Sequence, residues 1–195
     1  EFVGGCASAV RTFTITVNPT PTVAAVSNQT VCNGSNTTAV TFSGAVTGTT
    51  YAWTNSNTAI GLAASGTGNN ASFAGTNTTA APITATITAT PSANGCAGSP
   101  TSFTITVNPT ATVNAIANQV LCKGSNTTAV TFAGPVAGTT YAWTNSNTAI
   151  GLAASGTGTG IPSFATTNTT TAPLVGTITV TPTANGCVGT PLTFT

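Results

Sequence analysis

Apolar and polar residues alternate with a period of two along much of this chain. In Thr12–Val17 (TFTITV), Phe13, Ile15 and Val17 fall on one face and Thr12, Thr14 and Thr16 on the other. The same alternation runs through Thr84–Thr90, Ser102–Val107 and Thr177–Thr181. Alternation over four to eight residues predicts half-buried strands, and threonine favours the pleated backbone. Gly, Pro and Asn interrupt these runs too often for long helices. Asn94-Gly95 and Asn185-Gly186 lie between strand-like runs, where the pair favours a tight hairpin turn.

The pattern repeats. Thr49–Gly68 (TTYAWTNSNTAIGLAASGTG) recurs letter for letter at Thr139–Gly158. Trp53 and Trp143 are separated by 143 − 53 = 90 positions, as are Cys32 and Cys122. Beyond Gly158 the offset becomes 91, relating Phe73 to Phe164 and Cys96 to Cys187. The extra residue lies near Asn69-Asn70 and Thr159–Pro162, which predicts a loop there, since strand pairing tolerates no slip. The N-terminal GGCASAVRTFTITVNP matches NGCAGSPTSFTITVNP ending at Pro109, so residues 1–18 read as the tail of a truncated preceding repeat. Residues 19–108 form one expected immunoglobulin-like repeat, and 109–195 a second whose last strand is incomplete. About seven short strands per ~90 residues predicts an all-β immunoglobulin-like sandwich. Tyr51-Ala52-Trp53 and Tyr141-Ala142-Trp143 place each Trp on a central strand as a core aromatic, with an exposed sugar-stacking platform as the alternative. The junctions at Asn18-Pro19 and Asn108-Pro109 have no Gly/Ser spacer, and proline stiffens them. The expected arrangement is a semi-rigid rod.

Charge narrows the function classes. The chain has two basic residues, Arg11 and Lys123, one acidic residue, Glu1, and no histidine. General acid–base chemistry needs a titrating side chain beside the reacting atom, and a nucleophile needs a base. Neither repeat supplies one, so an enzyme is not expected. Clustered carboxylates for Ca²⁺ and clustered Cys or His for Zn²⁺ are missing, so no metal or cofactor is expected. Two isolated cations do not form a nucleic-acid footprint. No apolar run approaches the ~18 residues of a membrane helix. Glu1-Phe2 reads as a cloning remnant, and the chain as a fragment of a longer secreted protein.

Each full repeat carries two of the five cysteines, which predicts the disulfides Cys32–Cys96 and Cys122–Cys187 and an oxidising compartment. Each would close a loop of about 65 residues, worth ~4 kcal/mol on the chain-entropy model. Cys6 corresponds to Cys96 and is left unpaired. The alternative is five buried thiols.

The succession C-x-G-S, Y-A-W-T-N, I-G-L-A-A-S-G-T-G, N-G-C-x-G and F-T-I-T-V-N-P resembles the PKD-like or immunoglobulin-like repeats of giant Bacteroidota surface proteins. Gliding-motility adhesins of the type IX secretion class are examples. The resemblance implies export and display at the bacterial cell surface within a long filament. Typical PKD domains have an acidic W-D-F-G-D-G stretch, whereas Trp53 is followed by the neutral Thr54-Asn55-Ser56-Asn57. The expected role is a stalk or spacer whose partners are neighbouring repeats of the same chain. Two alternatives stand beside it. Threonine rows such as Thr84/Thr86/Thr88 could hold a glycan, or sheet edges with little charge to protect them could self-associate into a filament.

Overall fold

The computed structural model describes Gly5 and residues 9–195. Six strands of the first repeat form one sheet: β1 (Gln29–Cys32), β2 (Thr50–Asn55), β3 (Ser65–Thr67), β4 (Ile83–Ala93), β5 (Cys96–Ala97) and β6 (Thr101–Asn108). Their order is β1-β6-β4-β2-β3, with β5 hydrogen-bonded to β4. The pattern fixes which face is buried. Along β4 and β6 the inward residues Ala85, Ile87, Ala89, Phe103, Ile105 and Val107 are almost fully buried, while the intervening threonines face outward. Across that outer face the Thr84 and Thr106 hydroxyls bond to one another at 2.9 Å, as do those of Thr88 and Ser102.

The opposing layer is thinner. The Val40 and Asn70 backbones exchange hydrogen bonds, Thr37 N–H donates to the Phe73 carbonyl, and Ala24 N–H to that of Ser43. Val40, Phe42 and the partly buried Phe73 pack from this side onto Trp53, Ile87 and Phe103. The result is an all-β sandwich with two unequal layers.

The second repeat has β7 (Val130–Thr131), β8 (Thr140–Asn145), β9 (Ser155–Thr157), β10 (Gly160–Ile161), β11 (Ile178–Ala184), β12 (Cys187–Val188) and β13 (Leu192–Phe194). Its main sheet runs β12-β11-β8-β9, with β13 also on β11. The predicted loop at the inserted residue contains β10, because Ile161 pairs with Val130 as Asn70 pairs with Val40. The extra residue is absorbed just before it, where Gly158 takes φ +123°.

Trp53 and Trp143 lie on β2 and β8, each flanked by a strand on both sides, and are buried with Tyr51 and Tyr141. Gly66 and Gly156 lie against the two indoles, where a Cβ would come within about 2.6 Å of ring atoms. Both Asn-Gly pairs form two-residue hairpin turns: Asn94 and Asn185 adopt φ +50° and +51°, and Gly95 and Gly186 follow at +79° and +76°. Paired positive φ values are what this turn requires.

Thr12–Val17 departs from its pattern. Its sequence nearly duplicates that of β6, yet it carries no strand, and Phe13, Ile15 and Val17 are exposed. Alternation makes a strand amphipathic but does not supply the sheet it must join.

Candidate functional site: the junction and an open cleft

The disulfide expectation needs correction. Cys32 is bonded to Cys187, with Cα atoms 5.7 Å apart, while Cys96 and Cys122 are free. Strand direction explains why Cys32 cannot reach Cys96. Cys32 lies opposite Asn108 at the end of β6, and Cys96 lies opposite Ala93 beyond the other end of that strand. Since Ile83 faces Val107, the two positions are separated by most of the length of β4. Ten residues of strand span roughly 33 Å, whereas a disulfide requires Cα atoms within about 7 Å. The same geometry separates Cys122 from Cys187. The alternation pattern does not give the direction in which β1 joins β6, and it is that parallel pairing which puts Cys32 at the pole opposite Cys96. Cys6 lies outside the described residues.

The Cys32–Cys187 bond spans the passage from one repeat to the next. Asn108, buried at the end of β6, donates from its side-chain amide to the Asn185 carbonyl at 3.0 Å. Asn33 reaches Thr110 Oγ1 at 3.0 Å, Thr190 N–H donates to the Ala111 carbonyl at 3.0 Å, and Pro109 is fully buried. Gly189 packs against the Ala111 backbone, leaving no room for a side chain. The junction is therefore fixed by a covalent bond, hydrogen bonds and packing together. The upstream junction shows the same polar contact: Asn18 Nδ2 donates to the Asn94 carbonyl at 2.9 Å.

The second repeat also contains an open cleft of about 300 Å³, lined by apolar groups that include Val120, Leu121, Leu174, Val175, Ile178 and Phe194. In the first repeat the corresponding space holds Ile105 and Val107 of β6, paired parallel with β1 and antiparallel with β4. Lys123 is on the rim, and no Asp or Glu side chain lines the cleft. Among the described residues no three His, Cys, Asp or Glu side chains come together as a metal site, and no helix is long and apolar enough to cross a membrane.

A PKD-like domain model matches residues 29–111, the stretch from β1 through β6 to the start of the second repeat. Among solved structures, the one described as the crystal structure of DIP-gamma IG1+IG2 is similar at a TM-score of 0.46 and 8% identity, over 91% of this chain and 96% of that one. No curated protein matches the sequence.

Proposed function

We propose that this chain is a non-catalytic structural segment, a stalk or spacer, of a large extracellular bacterial adhesin or surface filament. The observation that carries this reading is the Cys32–Cys187 bond, which joins one repeat to the next instead of closing a loop within either. An isolated binding or catalytic unit gains stability from such a link but has no need to fix its direction relative to a neighbouring repeat. A series of repeats that must keep its direction under load gains a hinge that cannot open. The short Asn108-Pro109-Thr110 passage and the buried Pro109 support the same reading.

The disulfide also favours an oxidising location outside the cytoplasm. Assignment to the bacterial surface, and to the gliding-adhesin type in particular, rests on the motif resemblance alone. The threonine rows give less support to glycan binding, because several of their hydroxyls already bond one another across the strands.

Small-angle scattering on dilute protein tests the spacer role. The oxidised chain should give a narrow, elongated distance distribution, and reduction should broaden it as the junction begins to bend. A compact globular profile, or one unaffected by reductant, would overturn the reading.

A further inference from the structure

We propose, building on the spacer reading, that the Cys32–Cys187 bond is one rung of a repeating pattern: wherever one of these repeats follows another, the second cysteine of the later repeat bonds the first cysteine of the earlier one. Cys122 is the first cysteine of its repeat and the counterpart of Cys32, and Cys96 is the second of its own and the counterpart of Cys187. Cys122 would therefore take the N-G-C cysteine of a repeat that follows, and Cys96 the C-x-G-S cysteine of a repeat that precedes.

The half that carries the second cysteine is built alike in both repeats. Cys96 and Cys187 each follow an Asn-Gly turn of the same backbone shape, and each pairs with an alanine, Ala93 or Ala184. Gly98 N–H donates to the Pro91 carbonyl at 2.9 Å, as Gly189 N–H does to that of Pro182 at 2.8 Å. The segment entering each repeat docks on this hairpin in the same way. Asn18 bonds the Asn94 carbonyl at 2.9 Å, and Asn108 that of Asn185 at 3.0 Å. A Cβ on Gly98 would strike the Pro21 carbonyl oxygen, and one on Gly189 the equivalent oxygen of Ala111, so glycine meets the same close approach twice. Asn108 lies opposite Cys32 in the parallel pairing of β1 with β6, so its docking on the second hairpin is what delivers Cys32 to Cys187. Asn18, docked alike, marks where the first cysteine of a preceding repeat would arrive beside Cys96.

The half that carries the first cysteine is duplicated as well. Ser35 N–H donates to the Cys32 carbonyl at 2.9 Å, and Ser125 N–H to that of Cys122 at 3.1 Å. Between them Gly34 and Gly124 adopt φ +82° and +84°, and their N–H groups donate to the carbonyls of Gly75 and Thr166. The turn that presents Cys32 to its partner thus recurs at Cys122. One position differs: Lys123 stands where Asn33 donates to Thr110 Oγ1, and an ammonium is a donor too. Within a repeat the two cysteines lie at opposite poles, so a neighbouring repeat must supply the partner.

Closing such a bond joins two sulfurs and releases two protons and two electrons, which a low-molecular-weight disulfide such as oxidised glutathione accepts, leaving as two thiols. The bonds interleave along the series. Each skips 155 residues, and the stretch from Cys96 to Cys122, entered by one bond and left by the next, has 122 − 96 = 26. These add to 155 + 26 = 181 residues, the length of two repeats at offsets of 90 and 91. Unfolded and fully stretched, a reduced series could reach about 600 Å per two repeats, but an oxidised one only about 90 Å. A spacer stapled in this way transmits load without unravelling.

The test uses the 195-residue chain and a tandem chain in which residues 15–195 follow Thr195, so that Phe194-Thr195 runs into Ile15–Asn18 as Phe103-Thr104 runs into Ile105–Asn108. In the tandem chain Cys6→Ser, Cys96→Ser in the first copy and Cys122→Ser in the second leave one candidate pair beside the two Cys32–Cys187 bonds. After dilute oxidation with glutathione and alkylation, peptide mapping of the monomer should find Cys122 of the first copy bonded to Cys96 of the second. Both Cys32–Cys187 bonds in the same map report that the repeats have folded. Changing the remaining Cys122 to serine should lower the melting temperature by about 10 °C in the tandem chain and leave that of the 195-residue chain unchanged. Either thiol left alkylated, or found on another cysteine, would overturn the inference, as would a Cys122→Ser change that is silent in both chains. Absence of this bond with both Cys32–Cys187 bonds present would leave the spacer role standing. A compact scattering profile would remove the spacer role and leave the pairing intact.

Discussion

Removing the link between the repeats, in a Cys32→Ser/Cys187→Ser double variant, should be the most damaging pair of conservative substitutions in the molecule. The bond connects positions 155 residues apart. On the chain-entropy model a loop of that size is worth about 5 kcal/mol. If the first repeat unfolds while the second stays folded, the relevant flexible segment runs from Cys32 to Asn108, 108 − 32 = 76 residues, and the value falls only to about 4.5 kcal/mol. The two routes agree because the cost depends only on the logarithm of loop length. Native disulfides in small domains measure about 2–5 kcal/mol on removal, and one kcal/mol shifts the melting temperature of a repeat this size by about 4–8 °C. Even the low end gives a fall of about 10 °C. Scanning calorimetry on dilute protein, with Cys96→Ser and Cys122→Ser as controls, should show the fall only in the double variant and in reduced parent chain. A fall of similar size in either control, or none in the double variant, would refute the reasoning.

Other perturbations follow from the packing. Ile105→Ala should cost about 2–5 kcal/mol by urea denaturation, because Ile105 is buried, while Ile15→Ala in the identical local sequence should leave the monomer unchanged. Gly66→Ala should drive a methyl into the Trp53 indole and cost about 1–3 kcal/mol, visible also as altered tryptophan fluorescence. Asn77→Ala should cost about 1–3 kcal/mol in the same assay, since it leaves the buried Val107 carbonyl without its side-chain donor.

Much of the fold is legible in short stretches of sequence. The alternation in β4 and β6 names the buried face, the Asn-Gly pairs name both hairpins, and the aromatic before each T-N-S-N loop names the core. These features are legible because their causes are local: pleat period, left-handed turn geometry and the size of an indole. What escapes depends on partners distant in the chain. Thr12–Val17 has the same alternation as β6 and yet no neighbouring strand. The cysteine pairing follows from which pole of the sandwich each residue occupies, which only strand direction reveals.

The link itself can be read on one gel. A Cys122→Ser variant, alkylated and unfolded without reductant, then cut by trypsin at Arg11 and Lys123, yields a short N-terminal peptide and two halves, 12–123 and 124–195, carrying Cys32 and Cys187 respectively. Because Cys32 is bonded to Cys187, the halves should migrate together and separate only on reduction. Halves that separate before reduction, with Cys32 bound to Cys96, would contradict the inter-repeat link and the spacer role built on it.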